Sequence, residues 1–379
     1  MKFSPYQKQI PLSLIISLLV IAIFGILIFG LNPKDFYFSN NVIRMPGSTG
    51  IKFGKYGIAY TEPFFEAIQN KISEPSEFSF EICLKPENPE EGRFNFIIVL
   101  HNGKDSDQLL MAQWRTHIIF MNGDDYNYKK RIKRISIDTA TIPKGIFYIT
   151  VTTSKEGTKI YLNGQLLRKK KDLKLKIPNE GMKPRLILGN SVYGRDSWNG
   201  TIYGLAFYQY ELTSHNVSLH YNQWLKEKNF SFVKRENPYS LYVFDGNSSL
   251  WCLDHSGLNN HIIIPSRMKI LKKKFLDMPT DFFDFVSRHT QDVILNLIGF
   301  IPFGFILAGA LIRLDSSIGK HSQLIAVIIG FLLSLTIESI QSWIPSRDSN
   351  MLDLILNSFG TLIGATIYRP VLHLANFRN

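Results

Sequence analysis

Apolar residues gather at the two ends of the chain and alternate with polar ones through the middle. Near the N-terminus no charged residue falls between Lys8 and Lys34, and Leu14-Ile15-Ile16-Ser17-Leu18-Leu19-Val20-Ile21 lies inside that gap. A helix rises about 1.5 Å per residue, so this stretch is long enough to cross the ~30 Å hydrocarbon layer of a bilayer. The competing reading is a cleaved leader, whose apolar region is usually about 7–15 residues and ends in a small-residue cleavage site. Phe29-Gly30-Leu31-Asn32 supplies no such site, so an uncleaved anchor is expected. Three further apolar stretches close the chain: Val293 to Ile312, about Ser322 to Trp343, and about Leu352 to Leu372. Each is near the ~20 residues that a spanning helix needs.

Between about Asn41 and Pro265 the pattern shortens. Phe78-Ser79-Phe80-Glu81-Ile82-Cys83-Leu84 alternates with period two. Phe94 to Leu100, Ile118 to Phe120, Phe147 to Val151, Lys159 to Leu162 and Leu186 to Leu188 read as further strands. Asn122-Gly123 and Asn163-Gly164 directly follow apolar runs and predict hairpin turns. Many short strands between Gly, Asn and Asp turns predict an antiparallel sandwich, interrupted by one helical stretch from Ser214 to Glu227. The expected fold class is therefore multi-domain: a four-helix transmembrane domain plus an all-β antiparallel jelly-roll sandwich. The expected boundaries are 1–35 for the N-terminal transmembrane anchor and 41–265 for the sandwich. A basic linker follows at 266–290, and three transmembrane helices at 291–372.

Composition narrows the classes. In 379 residues, 45% are hydrophobic and 20% charged, which excludes a disordered tail, a collagen-like fibre and a cysteine-stapled miniprotein. The formal charge of +12, from 43 Lys+Arg against 31 Asp+Glu, favours anionic partners. Lys129-Lys130-Arg131-Ile132-Lys133-Arg134 and Arg168-Lys169-Lys170-Lys171 are the main basic runs, read as hairpin tips kept soluble by charge. No nucleic-acid fold accompanies them, so nucleic acid is not an expected partner. Cys83 and Cys252 lack C-x-x-C spacing, which argues against a zinc or thiol-redox site and leaves a disulfide or two buried thiols open. Lys2, Lys8, Arg313, Lys320, Arg369 and Arg378 all fall on one side if the N-terminus is inside. The Lys/Arg rule then predicts cytoplasmic termini and an extracytoplasmic sandwich. Lys269, Lys272, Lys273 and Lys274 pull the other way, but they follow a long domain, where the rule weakens.

The middle region also resembles a family. Phe80 to Pro86, Ile160 to Gly164, Leu188-Gly189-Asn190 and Trp198 to Tyr208 look like successive strands of a LamG/concanavalin A-like jelly roll. Leu212-Thr213-Ser214 with the helix to Trp224 resembles that family's closing segment. Tyr242-Val243-Phe244-Asp245-Gly246 and Asp254-His255-Ser256-Gly257 resemble an edge-strand signature. The resemblance covers about 41–265 and implies a glycan or protein ligand, sometimes with calcium. Asp105, Asp107, Asp124 and Asp125 lack the spacing of a calcium loop and read as solvated turn acids, so no metal and no cofactor is expected. No E-x-D-x-x-E-type run is present, so hydrolysis is not expected of the sandwich.

The last hundred residues resemble the VanZ-like family more specifically. Asp292 to Phe305 carries an N-x-x-x-F-x-P-x-G pattern, Leu335 to Gln341 an S-x-x-I-E-x-x-Q pattern, and Arg347 to Gly364 an R-x-x-D-x-x-D-x-x-x-N-x-x-G-like ending. The resemblance covers about 1–31 and 285–372, which makes the sandwich an insertion into a split membrane domain. It implies a cell-envelope role, with glycopeptide (teicoplanin) resistance the associated phenotype. Spacing supplies an independent reading: Glu338 and Gln341 are i,i+3, and Asp353 and Asn357 are i,i+4, so each pair shares a helix face. With Asn296 and Arg347 these six residues form the candidate polar membrane site, on the outer side in the expected topology. An intramembrane acid should face protein, water or a partner. Helix-end residues reaching the interface are the plainer reading for Glu338 or Asp353 alone. Gly299, Gly304, Gly360 and Gly364 read as small residues for close helix approach. Three functions stay open: an envelope protein with a binding module, a membrane enzyme or carrier for a lipid-linked precursor, or a plain adhesion scaffold. In the second, Glu338 and Asp353 would be acid/base groups and Arg347 a phosphate holder. Membrane lipids are expected partners in all three, and catalysis is the least supported.

Overall fold

The computed structural model describes residues 11–31, 38–45, 49–65, 77–87, 93–142, 145–227, 235–245, 250–273, 275–278, 290–314, 316–344, 347 and 349–377. Lys2, Lys8, Lys34, Lys274, Asp348, Arg378 and residues 279–289 of the expected 266–290 linker lie outside the described residues. The chain divides into two compact units, one of residues 38–272 and one of residues 1–37 with 273–379.

The 38–272 unit is a β-sandwich of two eight-stranded antiparallel sheets. The first sheet runs β1 (Val42–Arg44), β2 (Ile51–Phe53), β13 (Gly200–Tyr208), β4 (Phe78–Pro86), β9 (Phe147–Ser154), β10 (Gly157–Leu162) and β11 (Gln165–Lys170), with β14 (Ser240–Tyr242) also pairing β13. The second runs β15 (Trp251–Cys252), β16 (Ile262–Ile263), β3 (Ala59–Thr61), β12 (Arg185–Leu188), β5 (Asn95–His101), β6 (Leu109–Trp114), β7 (His117–Asn122) and β8 (Arg134–Asp138). Phe78, Phe80, Ile82 and Leu84 of β4 point into the core between the sheets, with Phe120, Ile149 and Leu205. The intervening Ser79, Glu81 and Cys83 are buried too. They lie beneath α2 (Ser214–Tyr221) and the π-turn Asn222–Glu227, whose Val217 and Trp224 close the outer face of the first sheet. A Cβ on Gly204 would enter the Trp224 ring, so the cover is tight enough to require glycine there.

Turn chemistry holds in one place and departs in another. Asn163 (φ 50°) and Gly164 (φ 80°) join β10 to β11 as the left-handed pair of a two-residue hairpin. Asn122-Gly123 instead ends β7, and the partner strand β8 begins only at Arg134. The reason is Asp125, which accepts the N–H groups of Lys130 (3.0 Å) and Ile132 (2.9 Å) and so builds a longer clasped loop. Residues 266–272 do not hang free as linker. Met268 N donates to Phe38 O (3.1 Å), Leu271 N to Val192 O (2.9 Å), and Met268 is buried on the second sheet's outer face.

The other unit is helical: α1 (Leu12–Leu31), α3 (Thr290–Leu314), the short α4 (Ser316–Lys320), α5 (Ser322–Gln341) and α6 (Met351–Phe377). Four of these, all but α4, are long and apolar enough to cross a membrane. The molecule is a membrane protein. Its core here is small, centred on Phe300, Phe303, Leu307, Ile337 and Tyr368, with Leu19, Ile23 and Leu27 of α1 packed against it. Leu14, Phe24, Leu295, Leu324 and Phe359 face outward instead, the arrangement of a lipid-facing surface. Close approach of α3 and α6 depends on three glycines. A Cβ on Gly304 would overlap the Thr361 backbone, one on Gly360 the carbonyl of Leu297, and one on Gly364 the carbonyl of Ile301. Gly299, expected to act likewise, has open space where its Cβ would be.

Candidate functional site

The sequence-predicted polar residues gather at one end of the helical unit. Gln341 in the last turn of α5 donates Nε2–H to the carbonyl of Gly30 in the last turn of α1, at 2.8 Å. Glu338, one turn earlier and 1% exposed, accepts the backbone N–H of Asn350 on Oε2 at 2.7 Å. Asn350 is the residue before α6, and its Oδ1 in turn accepts the N–H of Leu352 at 2.9 Å, a side-chain cap on an otherwise orphaned donor. The Glu338 carboxylate therefore anchors the residue that starts α6.

From that end a polar seam runs down the α5–α6 interface at intervals of one turn. Asp353 is the like-charged neighbour of Glu338. Asn357 donates Nδ2–H to Ser334 Oγ at 2.9 Å with both residues buried. Thr361 meets Gly330, where any Cβ would strike its side chain. The steps are four residues on each helix, 334 to 338 against 357 to 353, as antiparallel packing dictates. Oδ1 of Asn357 and Oε1 of Gln341 accept no hydrogen bond among the described residues. Asn296 is half-buried in the second turn of α3, and the contact of the next residue's carbonyl with Gly360 puts it at the depth of Asn357's turn. Arg347 is half-buried in the connection between α5 and α6, its N–H on the carbonyl of Ile344 at 3.1 Å.

Partners that spacing did not reveal complete the arrangement. Ser349 is fully buried, its Oγ accepting Leu276 N–H at 3.1 Å and its carbonyl accepting Asp277 N–H at 3.0 Å. Met351 N–H returns to Asp277 O at 3.2 Å. Ser349 and Met351 thus tie the head of α6 to residues 276 and 277, and Glu338 holds Asn350 between them. Backbone groups supply most of these bonds, and they leave no residue-type signature. Ser334 was legible in principle, since it lies four residues before Glu338 on the same face. The seam can hold a helix junction and a buried charge; it presents Glu338 to the Asn350 N–H, not to open solvent.

The sandwich candidates resolve differently. Asp107 and Asp125 are buried, not solvated as the sequence reading expected. Asp107 Oδ2 accepts from Asn102 Nδ2 (2.8 Å), Asn179 N (3.1 Å) and Glu180 N (3.1 Å), and Lys176 Nζ lies 2.9 Å from Oδ1, so protein groups face both oxygens. Asp105 stays partly exposed and receives His101 Nε2 (2.9 Å), Tyr193 OH (2.5 Å) and Lys272 Nζ (3.1 Å). Partial burial pushes its pKa up, but these donors outweigh it and hold the carboxyl well below the usual range. His101 does not form a catalytic dyad with it. Gly103 N–H donates to His101 Nδ1 at 3.0 Å, so that nitrogen is occupied and Nε2 carries the hydrogen towards Asp105. Among the described residues no three His, Cys, Asp or Glu side chains converge as metal ligands. Glu81 is a further buried acid, receiving Tyr208 OH (2.9 Å), Thr150 Oγ1 (3.1 Å) and His220 Nδ1 (2.8 Å) beneath α2. At zero exposure it has no access to a glycosidic bond.

Cys83 and Cys252 are both free. Cys83 lies under α2 on the outer face of its sheet, whereas Cys252 belongs to the inter-sheet core with Arg44 Nη2 3.2 Å from its sulfur. Burial pushes the Cys83 thiol up to about 12 and that of Cys252 to about 11. Both should resist alkylation in the folded protein and react after unfolding. A disulfide found by non-reducing peptide mapping would contradict that.

Residues 221–374 match the family model VanZ/LLP1, and residues 66–218 match the concanavalin A-like lectin/glucanases superfamily. These are the two resemblances read from the motifs. The first match begins before the helical unit and does not include α1, which the structure nevertheless packs against α3 and α5. Among solved structures, the binding domain of botulinum neurotoxin DC in complex with rat synaptotagmin II is 17% identical, covers 49% of this chain and 46% of that one, and gives a TM-score of 0.36. A structure from work on botulinum neurotoxin type C, whose cell entry depends on interaction with two ganglioside molecules, is 18% identical, with coverages of 49% and 45% and a TM-score of 0.37. This chain spans less than half the length of these solved chains, and nothing about their ligands transfers at such likeness. No curated protein matches.

Proposed function

We propose that the protein is a cell-envelope membrane protein in which a split VanZ-like helical unit displays a concanavalin A-like sandwich as a binding module outside the membrane. The observation that carries this reading is the Gln341–Gly30 bond. It closes α1 onto helices from the far end of the chain, so the helical unit is one body interrupted by the sandwich, and α1 ends where α3 and α6 begin. Lys/Arg placement supports cytoplasmic termini, hence an extracytoplasmic sandwich. The ligand class is an envelope glycan or a protein, as the lectin-like family suggests; a contribution to glycopeptide resistance is the finer form of the proposal. The enzyme or carrier alternative is less supported, because Glu338 spends an oxygen on Asn350 N–H and is closed to solvent.

Topology is tested first. Lys320→Cys and the exposed Trp343→Cys, at opposite ends of α5, should label from opposite sides of sealed vesicles, Trp343→Cys from outside. The reverse result puts the sandwich in the cytoplasm and ends the proposal. Full-length protein in nanodiscs, probed against an array of envelope glycans and an envelope-protein extract, should then retain one of the two; retention of neither leaves a plain anchor.

A further inference from the structure

The first basic run leads into β8 and the second lies on β11 and its end, strands of different sheets that the fold brings together. β8 ends the second sheet and β11 ends the first. Lys170 Nζ reaches Arg134 O at 3.1 Å, and Lys133 Nζ reaches both the carbonyl and Oδ2 of Asp172 at 3.1 Å, so the two edges are side by side. Nine basic side chains, from Lys129 to Arg134 and Arg168 to Lys171, therefore line one flank of the sandwich. Acids answer only part of this charge: Lys130 pairs with Asp124 (2.8 Å), Lys133 with Asp172, Arg134 with Asp125 (3.1 Å) and Lys169 with Glu156 (2.9 Å). Arg131, Arg168 and Lys171 stand exposed.

Apolar side chains are exposed among them. Leu166 is 54% exposed, Leu167 46% and Tyr128 60%, with the Arg134 guanidinium 4.6 Å from the Tyr128 ring. Tyr161 faces Leu166 while Ile160 faces Arg168, so Leu167 is the extra residue of a bulge and both leucines stay out of the core. Lysines on an edge strand are expected as protection against pairing with another chain. Two neighbouring exposed leucines are not, since they undo that protection. A soluble polyanion would use the charges and have no use for the leucines. A phospholipid surface uses both, with apolar tips at the acyl boundary and cations on headgroup phosphates.

We propose that the β8–β11 flank docks on an anionic phospholipid surface, with Leu166, Leu167 and Tyr128 entering the headgroup layer and Arg131, Arg168 and Lys171 on its phosphates. The proposal holds for either leaflet and is independent of the topology argued above.

The test uses the full chain with Gln165→Cys at the start of β11, labelled with bimane; the buried Cys83 and Cys252 leave the new thiol as the reactive one. Protein is placed in nanodiscs of phosphatidylcholine alone, or mixed with phosphatidylglycerol, each containing lipid with a quencher near the headgroup. Quenching should be several-fold stronger in the anionic discs. It should fall to the phosphatidylcholine level in Arg168→Glu/Lys171→Glu and in Leu166→Ser/Leu167→Ser, whose melting should match the parent because all four residues are exposed. Arg168→Gln/Lys171→Gln, a milder charge change, should fall between. Equal quenching in both lipids overturns the proposal. So does loss in the charge variants with full quenching in the leucine variant, the result expected of charge attraction alone with no apolar insertion.

Discussion

Gly364→Leu should prevent the helical unit from assembling, while Gly299→Leu, a change of the same size in a partner helix, should be tolerated. The contrast follows from what each new side chain meets. At Gly364 even a methyl group overlaps the Ile301 carbonyl and crowds Phe305 N–H, both parts of the α3 backbone. Backbone cannot rotate away as a side chain can, so α3 and α6 must separate. Overpacking of a core typically costs about 1–3 kcal/mol, and prying apart two backbones belongs at or above the top of that range. At Gly299 nothing lies within 4 Å, and leucine there would add to the lipid-facing surface. Detergent-extracted Gly364→Leu should elute as aggregate or melt well below the parent, with Gly299→Leu unchanged. Equal behaviour of the two would mean that α3 and α6 are not packed through glycine.

These two glycines show where the sequence is readable and where it is not. Both fall in the motif that resembles the VanZ-like family, and both look like helix-packing residues. Which side of α3 meets α6 is set by the partner helix, and residue type does not encode it. In the sandwich, β4 was legible because its inward residues alternate, Phe78, Phe80, Ile82 and Leu84. β15 and β16, two residues each, are too short to show any period. Asp107 and Asp125 look like solvated turn acids because their partners are backbone N–H groups, which every sequence has. The joining of the two basic runs required the order of strands across both sheets. Spacing put Glu338 and Gln341 on one face of α5, and Asp353 and Asn357 on one face of α6. The link from α1 to Gln341 through Gly30 O crosses 311 residues and has no local signature.

Glu338→Leu should be the most damaging single change at the polar end, and Glu338→Gln should recover much of the loss. Leucine leaves the Asn350 N–H buried without an acceptor, a cost of about 1–3 kcal/mol before any loss of the Ser349–Asp277 connection. Glutamine keeps an oxygen for that N–H and removes the charge that Asp353 opposes. Arg347 is half-buried in the same connection, and a charge in such a place needs compensation or water. If the three act as one unit, Arg347→Ala should destabilise the protein and Asp353→Asn should restore part of what was lost. SDS titration of the parent, Arg347→Ala, Asp353→Asn and the double variant gives the coupling directly. Effects that add within about 0.3–0.5 kcal/mol would make the charges independent interface residues. Coupling in stability without any change in envelope phenotype would assign the seam to folding. If Arg347→Ala/Asp353→Asn regains stability but not phenotype, the charges themselves are what the helical unit presents, and the polar end is a functional site as well as a junction.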